Sequence, residues 1–179
     1  MKVLPALLHC STLASVALAV SIDLALTDDC SILTGLGCGD VPPGVCCILP
    51  PTGLLVPAAQ FTGLPPTGVG SVHPPDENNQ CGNSCGTCTN PEDGNCCASC
   101  DDDTTQIIGA LWESVANEAV AAESGFMYVN YARFGGQYFR INGDVPQEVT
   151  ETLMEAALNQ TSVEDLPDFV QEYTMVPPS

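Results

Sequence analysis

The sequence predicts an α+β, disulfide-rich protein, in which an irregular or β amino-terminal part precedes a small cysteine-free part arranged α-β-β-α. Three observations lead there. Of the 11 Cys in 179 residues, ten fall between Cys30 and Cys100, and none falls between Asp101 and Ser179. The first half is rich in Pro and Gly, which interrupt helices. The second half carries apolar residues at helical spacing on either side of a hairpin signal.

Residues 1–19 read as a signal peptide. Met1-Lys2 precedes the apolar run Val3 to Val20, and Ala17 and Ala19 fit an A-x-A cleavage signal. The run is barely long enough for an anchor and is interrupted by Pro5, His9 and Cys10, so no transmembrane anchor is expected after cleavage. Cleavage also removes Cys10 and leaves an even set: Cys30, Cys38, Cys46, Cys47, Cys81, Cys85, Cys88, Cys96, Cys97 and Cys100. Export to an oxidising compartment predicts that all of them form disulfides, with the protein secreted, extracellular or in the cell wall.

Residues 20–100 form the expected disulfide-rich domain. Adjacent cysteines seldom bond each other, so Cys46-Cys47 and Cys96-Cys97 should each tie their strand to two partners. The uncharged tract Ile48 to Val72 is too rich in Pro and Gly for a helix, and Gly53 to Val56 and Ala58 to Thr62 read as short strands. Its Leu and Val residues either fill a small interior or form an exposed surface-active patch. Bridges closing long loops contribute about 2–4 kcal/mol each, which compensates for a small core.

Residues 101–179 form the expected acidic α+β domain. Asp101-Asp102-Asp103 precedes a helix expected over Thr104 to Glu123, with Ile108, Leu111, Trp112, Val115, Ala119 and Ala122 on one face and Gly125 as its stop. Phe126 to Phe134 and Gln137 to Ile141 read as strands joined by Gly135-Gly136. Asp144 is placed to cap a helix opened by Pro146, with Val149, Leu153, Ala156 and Ala157 inward and an end near Asn159. Ser162 to Tyr173, with Ser162 and Asp165 at capping-box spacing, suggests one or two short turns that pack back through Phe169 and Val170. The expected core is Trp112, Phe126, Tyr128, Phe139 and Leu153, and the terminal Pro-Pro-Ser should fray.

A net charge of −19 narrows the partners. Beyond the leader the Lys and Arg content is Arg133 and Arg140 alone, which excludes a basic stripe for nucleic acid. The expected partner is a cell-wall, host or protein component, with basic surfaces favoured.

Several residue groups have spacings that suggest chemistry. Cys85-x2-Cys88 and Cys97-x2-Cys100 have the look of zinc knuckles, but crowding and export favour disulfides. Asp101-Asp102-Asp103 and Pro91-Glu92-Asp93-Gly94-Asn95 offer hard oxygens without a calcium loop's alternation, so no metal or cofactor is expected. His73 stands in Ser-Val-His-Pro-Pro with no evident orienting partner, which makes it an exposed linker residue and argues against a His-dependent hydrolase. The many acidic residues keep a carboxylate-dependent hydrolase as an alternative without selecting a pair. Val69 to Gln80 is the best candidate for an inhibitor's rigid loop, and Asn159-Gln160-Thr161 makes Asn159 an N-glycosylation acceptor.

The order single, double, single, single, double, single among Cys38, Cys46-Cys47, Cys81, Cys88, Cys96-Cys97 and Cys100 resembles fungal hydrophobins. The segment Cys38-Gly-Asp-Val-Pro-Pro-Gly-Val-Cys46-Cys47 with Gln60-Phe-Thr-Gly-Leu-Pro resembles the broader class of fungal small secreted cysteine-rich proteins. The hydrophobin resemblance implies pairs Cys38–Cys96, Cys46–Cys88, Cys47–Cys81 and Cys97–Cys100, leaving Cys30 with Cys85, and an interfacial coat role for the tract after Cys47. It departs in two extra cysteines and a 79-residue cysteine-free tail, so the broader class is preferred. The expected function is that of a non-enzymatic cell-surface, structural or effector-like binding component.

Overall fold

The computed structural model describes residues 20–31, 33–51, 54–76, 81–89, 93–102, 104–114 and 125–178, so residues 1–19, where a signal peptide is expected, lie outside it. The strands in chain order are β1 Val20–Ala25, β2 Thr34–Val41, β3 Val45–Ile48, β4 Ala58–Thr62, β5 Gly68–His73 and β6 Gly86–Thr89. They continue with β7 Cys96–Ser99, β8 Gly109–Ser114, β9 Gly125–Tyr128, β10 Tyr131–Phe134, β11 Gln137–Arg140 and β12 Thr174–Met175. Helix α1 covers Gln147–Leu158, followed by 3-10 turns at Val163–Asp165 and Asp168–Tyr173.

The strands form a seven-stranded sheet, β12-β11-β10-β2-β1-β4-β7, and a five-stranded sheet, β6-β5-β8-β3-β9. The sheets face each other across a shared core. Phe61 of β4 packs so tightly on Gly70 of β5 that a Cβ at Gly70 would lie 2.7 Å from its ring. Alternation sets the faces: Ile22 and Leu24, Leu36 and Cys38, and Ala59 and Phe61 point inward from successive strands. Helix α1 covers the β2–β10 end of the same face with Val149, Leu153, Ala156 and Ala157, as their spacing predicts.

Strands from both sides of Cys100 share both sheets and one hydrophobic cluster. The change in composition at Cys100 therefore does not separate two cores. The apolar tract is part of that interior, with Ile48, Leu49, Val56, Phe61, Leu64 and Val72 all buried. Ala58–Thr62 is a strand as expected, and Val56 forms an isolated bridge to Ile107.

All ten cysteines pair, as Cys30–Cys97, Cys38–Cys47, Cys46–Cys81, Cys85–Cys100 and Cys88–Cys96. Each adjacent pair has two different partners, as expected, but none of the five pairs implied by the hydrophobin resemblance forms. The sheets explain the difference. Cys38–Cys47 joins β2 to β3 and Cys88–Cys96 joins β6 to β7, so both bridges staple one sheet to the other at Cα separations of 5.9 and 6.0 Å.

Further expectations need correction. Gly109–Ser114 is a strand between β5 and β3, not the middle of a helix over Thr104 to Glu123, whose residues 115–124 lie outside the described ones. Period-two burial of Ala110 and Trp112, with Trp112 Nε1 donating to Val41 O at 2.8 Å, prevails over the helical spacing. Phe126 to Phe134 is two strands, because the chain crosses between sheets at Val129-Asn130: β9 pairs parallel with β3, and β10 pairs with β2. Phe126 and Tyr128 are consequently exposed rather than core, while Trp112, Phe139 and Leu153 are buried.

The Gly135-Gly136 turn is as expected, with φ of +55° and +91°. Asp144 makes no cap; Pro146 is the N-cap residue, without a side-chain bond. The helix ends at Asn159, where Gln160 (φ +50°) and Thr161 donate back to Ala157 and Ala156. Val170 packs back while Phe169 stays exposed, and Ser162 bonds Glu164 rather than closing a capping box with Asp165. Thr174 and Met175 pair with β11 and Pro178 lies against Gly39, while Ser179 lies outside the described residues.

Candidate functional site

The outward face of the seven-stranded sheet follows from the same alternation. If Ile22, Leu36, Phe61 and Ala132 point inward, Asp23, Gly37, Gln60 and Tyr131 point out. The hairpin adds a repeated Tyr-x-Arg. Tyr131 stands opposite Arg140 and Arg133 opposite Tyr138, so both arginines of the described chain lie on this face.

Strand β2 presents Gly35, Gly37 and Gly39 outward, leaving a trough in the middle of the sheet. Tyr131 lies down in it. A Cβ at Gly37 would meet the Tyr131 ring and hydroxyl at 2.5 Å, so only glycine allows this side chain to cross β2. On the far side the Tyr131 hydroxyl donates to Asp23 Oδ1 at 2.8 Å.

Asp23 is 3% exposed, an uncommon position for a carboxylate. Burial raises its pKa, and the Tyr131 hydrogen bond and the nearby Arg133 charge counter part of the rise. Burial, then the Asp23 charge and hydrogen bond, push the Tyr131 phenol up, so it stays a donor. Arg133 Nη1 stands 3.8 Å from Asp23 Oδ2, too far for a hydrogen bond, and its guanidinium lies 5.4 Å from the centre of the Tyr138 ring. Its Nε is buried with no hydrogen-bond acceptor among the described residues.

These groups line a groove of about 390 Å³ with Ser21, Gln60, Thr62 and Asn95. Asp23 is the one carboxylate among its described lining residues. Pro178 forms part of its wall and also of a second cleft, where Arg140 and Asp40 meet Asn130 and Asn142. The groove thus combines a carboxylate acceptor, guanidinium and amide donors, hydroxyls and the Tyr138 ring at a size typical of ligand sites.

Sequence reasoning missed this groove. Two signals were legible: a lone Asp23 in the apolar run Val20-Ser-Ile-Asp-Leu-Ala, and Tyr-x-Arg on both sides of Gly135-Gly136. That Gly37 brings them together depends on strand order, which neither signal contains.

The sites expected from sequence are placed as follows. His73 is not an exposed linker residue: it belongs to β5, is 7% exposed, and has Nδ1 2.7 Å from Gly82 O and Nε2 2.9 Å from Ser71 Oγ. The cysteines of the two Cys-x2-Cys motifs are held in disulfides. Asp102 accepts from the backbone and hydroxyls of Thr104 and Thr105, which lower its pKa to about 2, so it organises a turn. Asp93 likewise accepts from Asn95 N, and Asp103 and Glu92 lie outside the described residues. No group of three or more His, Cys, Asp or Glu is placed to hold a metal among the described residues. Val69 to His73 is strand rather than loop, and residues 77–80 are outside the described set. Asn159 is exposed at the end of α1.

Comparison with models of protein families, with curated proteins and with solved structures finds no match to this chain.

Proposed function

We propose that the protein is a secreted binding component that recognises saccharide hydroxyls of a cell-surface or wall glycan in the groove on the seven-stranded sheet. The carrying observation is the juxtaposition of buried Asp23 with Arg133 and Tyr138. A vicinal diol donates to a carboxylate while accepting from guanidinium or amide N–H, and the C–H face of a sugar ring packs on an aromatic ring. Gln60, Asn95, Thr62 and Ser21 extend the same chemistry along the groove.

Three supports favour binding at an extracellular location. Five disulfides suit an oxidising compartment, and among the described residues no helix is long and apolar enough to cross a membrane. Glycoside hydrolysis by the usual mechanism needs two carboxyl groups flanking the bond, whereas the described groove lining supplies Asp23 alone. The apolar tract places Ile48, Leu49, Val56, Phe61, Leu64 and Val72 in the core, which favours binding over the film-forming reading.

A glycan array probed with the mature, oxidised protein tests the proposal. Retention on a defined saccharide set, lost in Arg133→Ala, is expected; no retention, or retention unchanged in that variant, contradicts it.

A further inference from the structure

We infer that Ser71, on the outward face of the five-stranded sheet, is a nucleophile activated by His73 and takes an acyl group from activated esters. The site lies apart from the groove and does not depend on it.

The tautomer follows from elementary chemistry. A backbone carbonyl accepts and never donates, so the 2.7 Å contact between His73 Nδ1 and Gly82 O places a proton on Nδ1. The neutral ring then has a bare Nε2, and the Ser71 hydroxyl 2.9 Å away donates to it. This is the direction that a base-activated serine requires, with the base oriented by a third group on its other nitrogen. Burial favours the neutral ring by lowering the His73 pKa. A longer contact from Ser71 Oγ to Leu111 O, 3.4 Å, competes weakly.

The fold holds all three parts. Ser71 and His73 are two apart on β5 and share a face, while Val72 between them points into the core. Gly82 follows Cys81, which is bridged to Cys46 and pairs with Pro75. On its other side Cys85 is bridged to Cys100 and donates to Val72 O. Ser71 is half-buried and His73 buried, so the nucleophile is the more accessible of the two. Among the described residues, the charged groups around the pair are Glu113 on β8, whose field favours an imidazolium, and Asp76, beside Gly82.

In the step, Ser71 Oγ bonds to the ester carbonyl carbon as its proton passes to His73 Nε2. The bond from that carbon to the leaving oxygen then breaks, and the alcohol departs with the proton from Nε2. Acyl-Ser71 and neutral His73 remain.

The test exposes the full oxidised protein to p-nitrophenyl acetate and, separately, to an alkyl fluorophosphonate, which forms an Oγ–P bond with loss of fluoride. Intact mass and peptide mapping should show one adduct, on Ser71, and none in Ser71→Ala. In His73→Gln the rate should drop about a hundredfold or more. In the unsubstituted protein it should fall as acid protonates His73, a readout that stands if His73→Gln does not fold. Unmodified Ser71, equal labelling of exposed Ser84 or Ser99, or a rate independent of His73 and of pH overturns the inference.

Discussion

The Tyr131 hydroxyl donates to the Asp23 carboxylate at 2.8 Å from a side chain laid across β2, whose strand lies between them. The bond serves the groove by holding a buried carboxylate in place. Tyr131→Phe keeps the ring and removes this donor, leaving Asp23 under-satisfied. Urea unfolding should show a loss of about 1–3 kcal/mol.

Gly37→Ala tests the crossing itself. The added methyl meets the Tyr131 ring and also Ile22 O, at 2.7 Å, which is backbone and cannot step aside. Overpacking of this kind costs about 1–3 kcal/mol, read from the urea midpoint, and displaced tyrosine fluorescence should accompany it.

Asp23 also predicts a pH dependence. Its pKa is raised above the ordinary 3.8, so the folded state retains a proton that the unfolded chain releases. Stability from this group is therefore greatest near and below pH 4 and is lost as pH rises through the raised value. Asp23→Asn removes that slope and should match or exceed the unsubstituted protein in stability at pH 7 while losing saccharide binding. Parallel stability curves for the two proteins between pH 4 and 7 would contradict this.

The bridges should differ in worth according to the chain they close. Cys30–Cys97 spans a separation of 67 residues and Cys88–Cys96 a separation of 8. The loop-entropy relation makes replacing the first pair with serine more costly by about 2 kcal/mol, measurable in matched denaturant melts.

Local chemistry was legible where it acts locally. The Gly135-Gly136 turn, strand Ala58–Thr62, the inward face of α1 and the divided partners of Cys46-Cys47 follow from residues within a few positions. Where distant strands decide, periodicity misled. Ile108, Leu111 and Trp112 fit a helix by spacing, yet β5 and β3 lie on either side of Gly109–Ser114 and bond to it. His73 looked unpartnered because Gly82 reaches it through a disulfide-bound turn, and nothing near Asp23 in the sequence marks it, because its partner Tyr131 is 108 residues away.

The groove can be watched through a single nitrogen. The chain has two arginines, so a 15N-labelled sample gives two Arg Nε–H signals, and that of Arg133 is buried beside Asp23. Titration with oligosaccharides released from cell-wall polymers should move the Arg133 signal saturably and leave that signal unmoved in Asp23→Asn. If no saccharide shifts it, or the shift survives that substitution, the groove is not a glycan site.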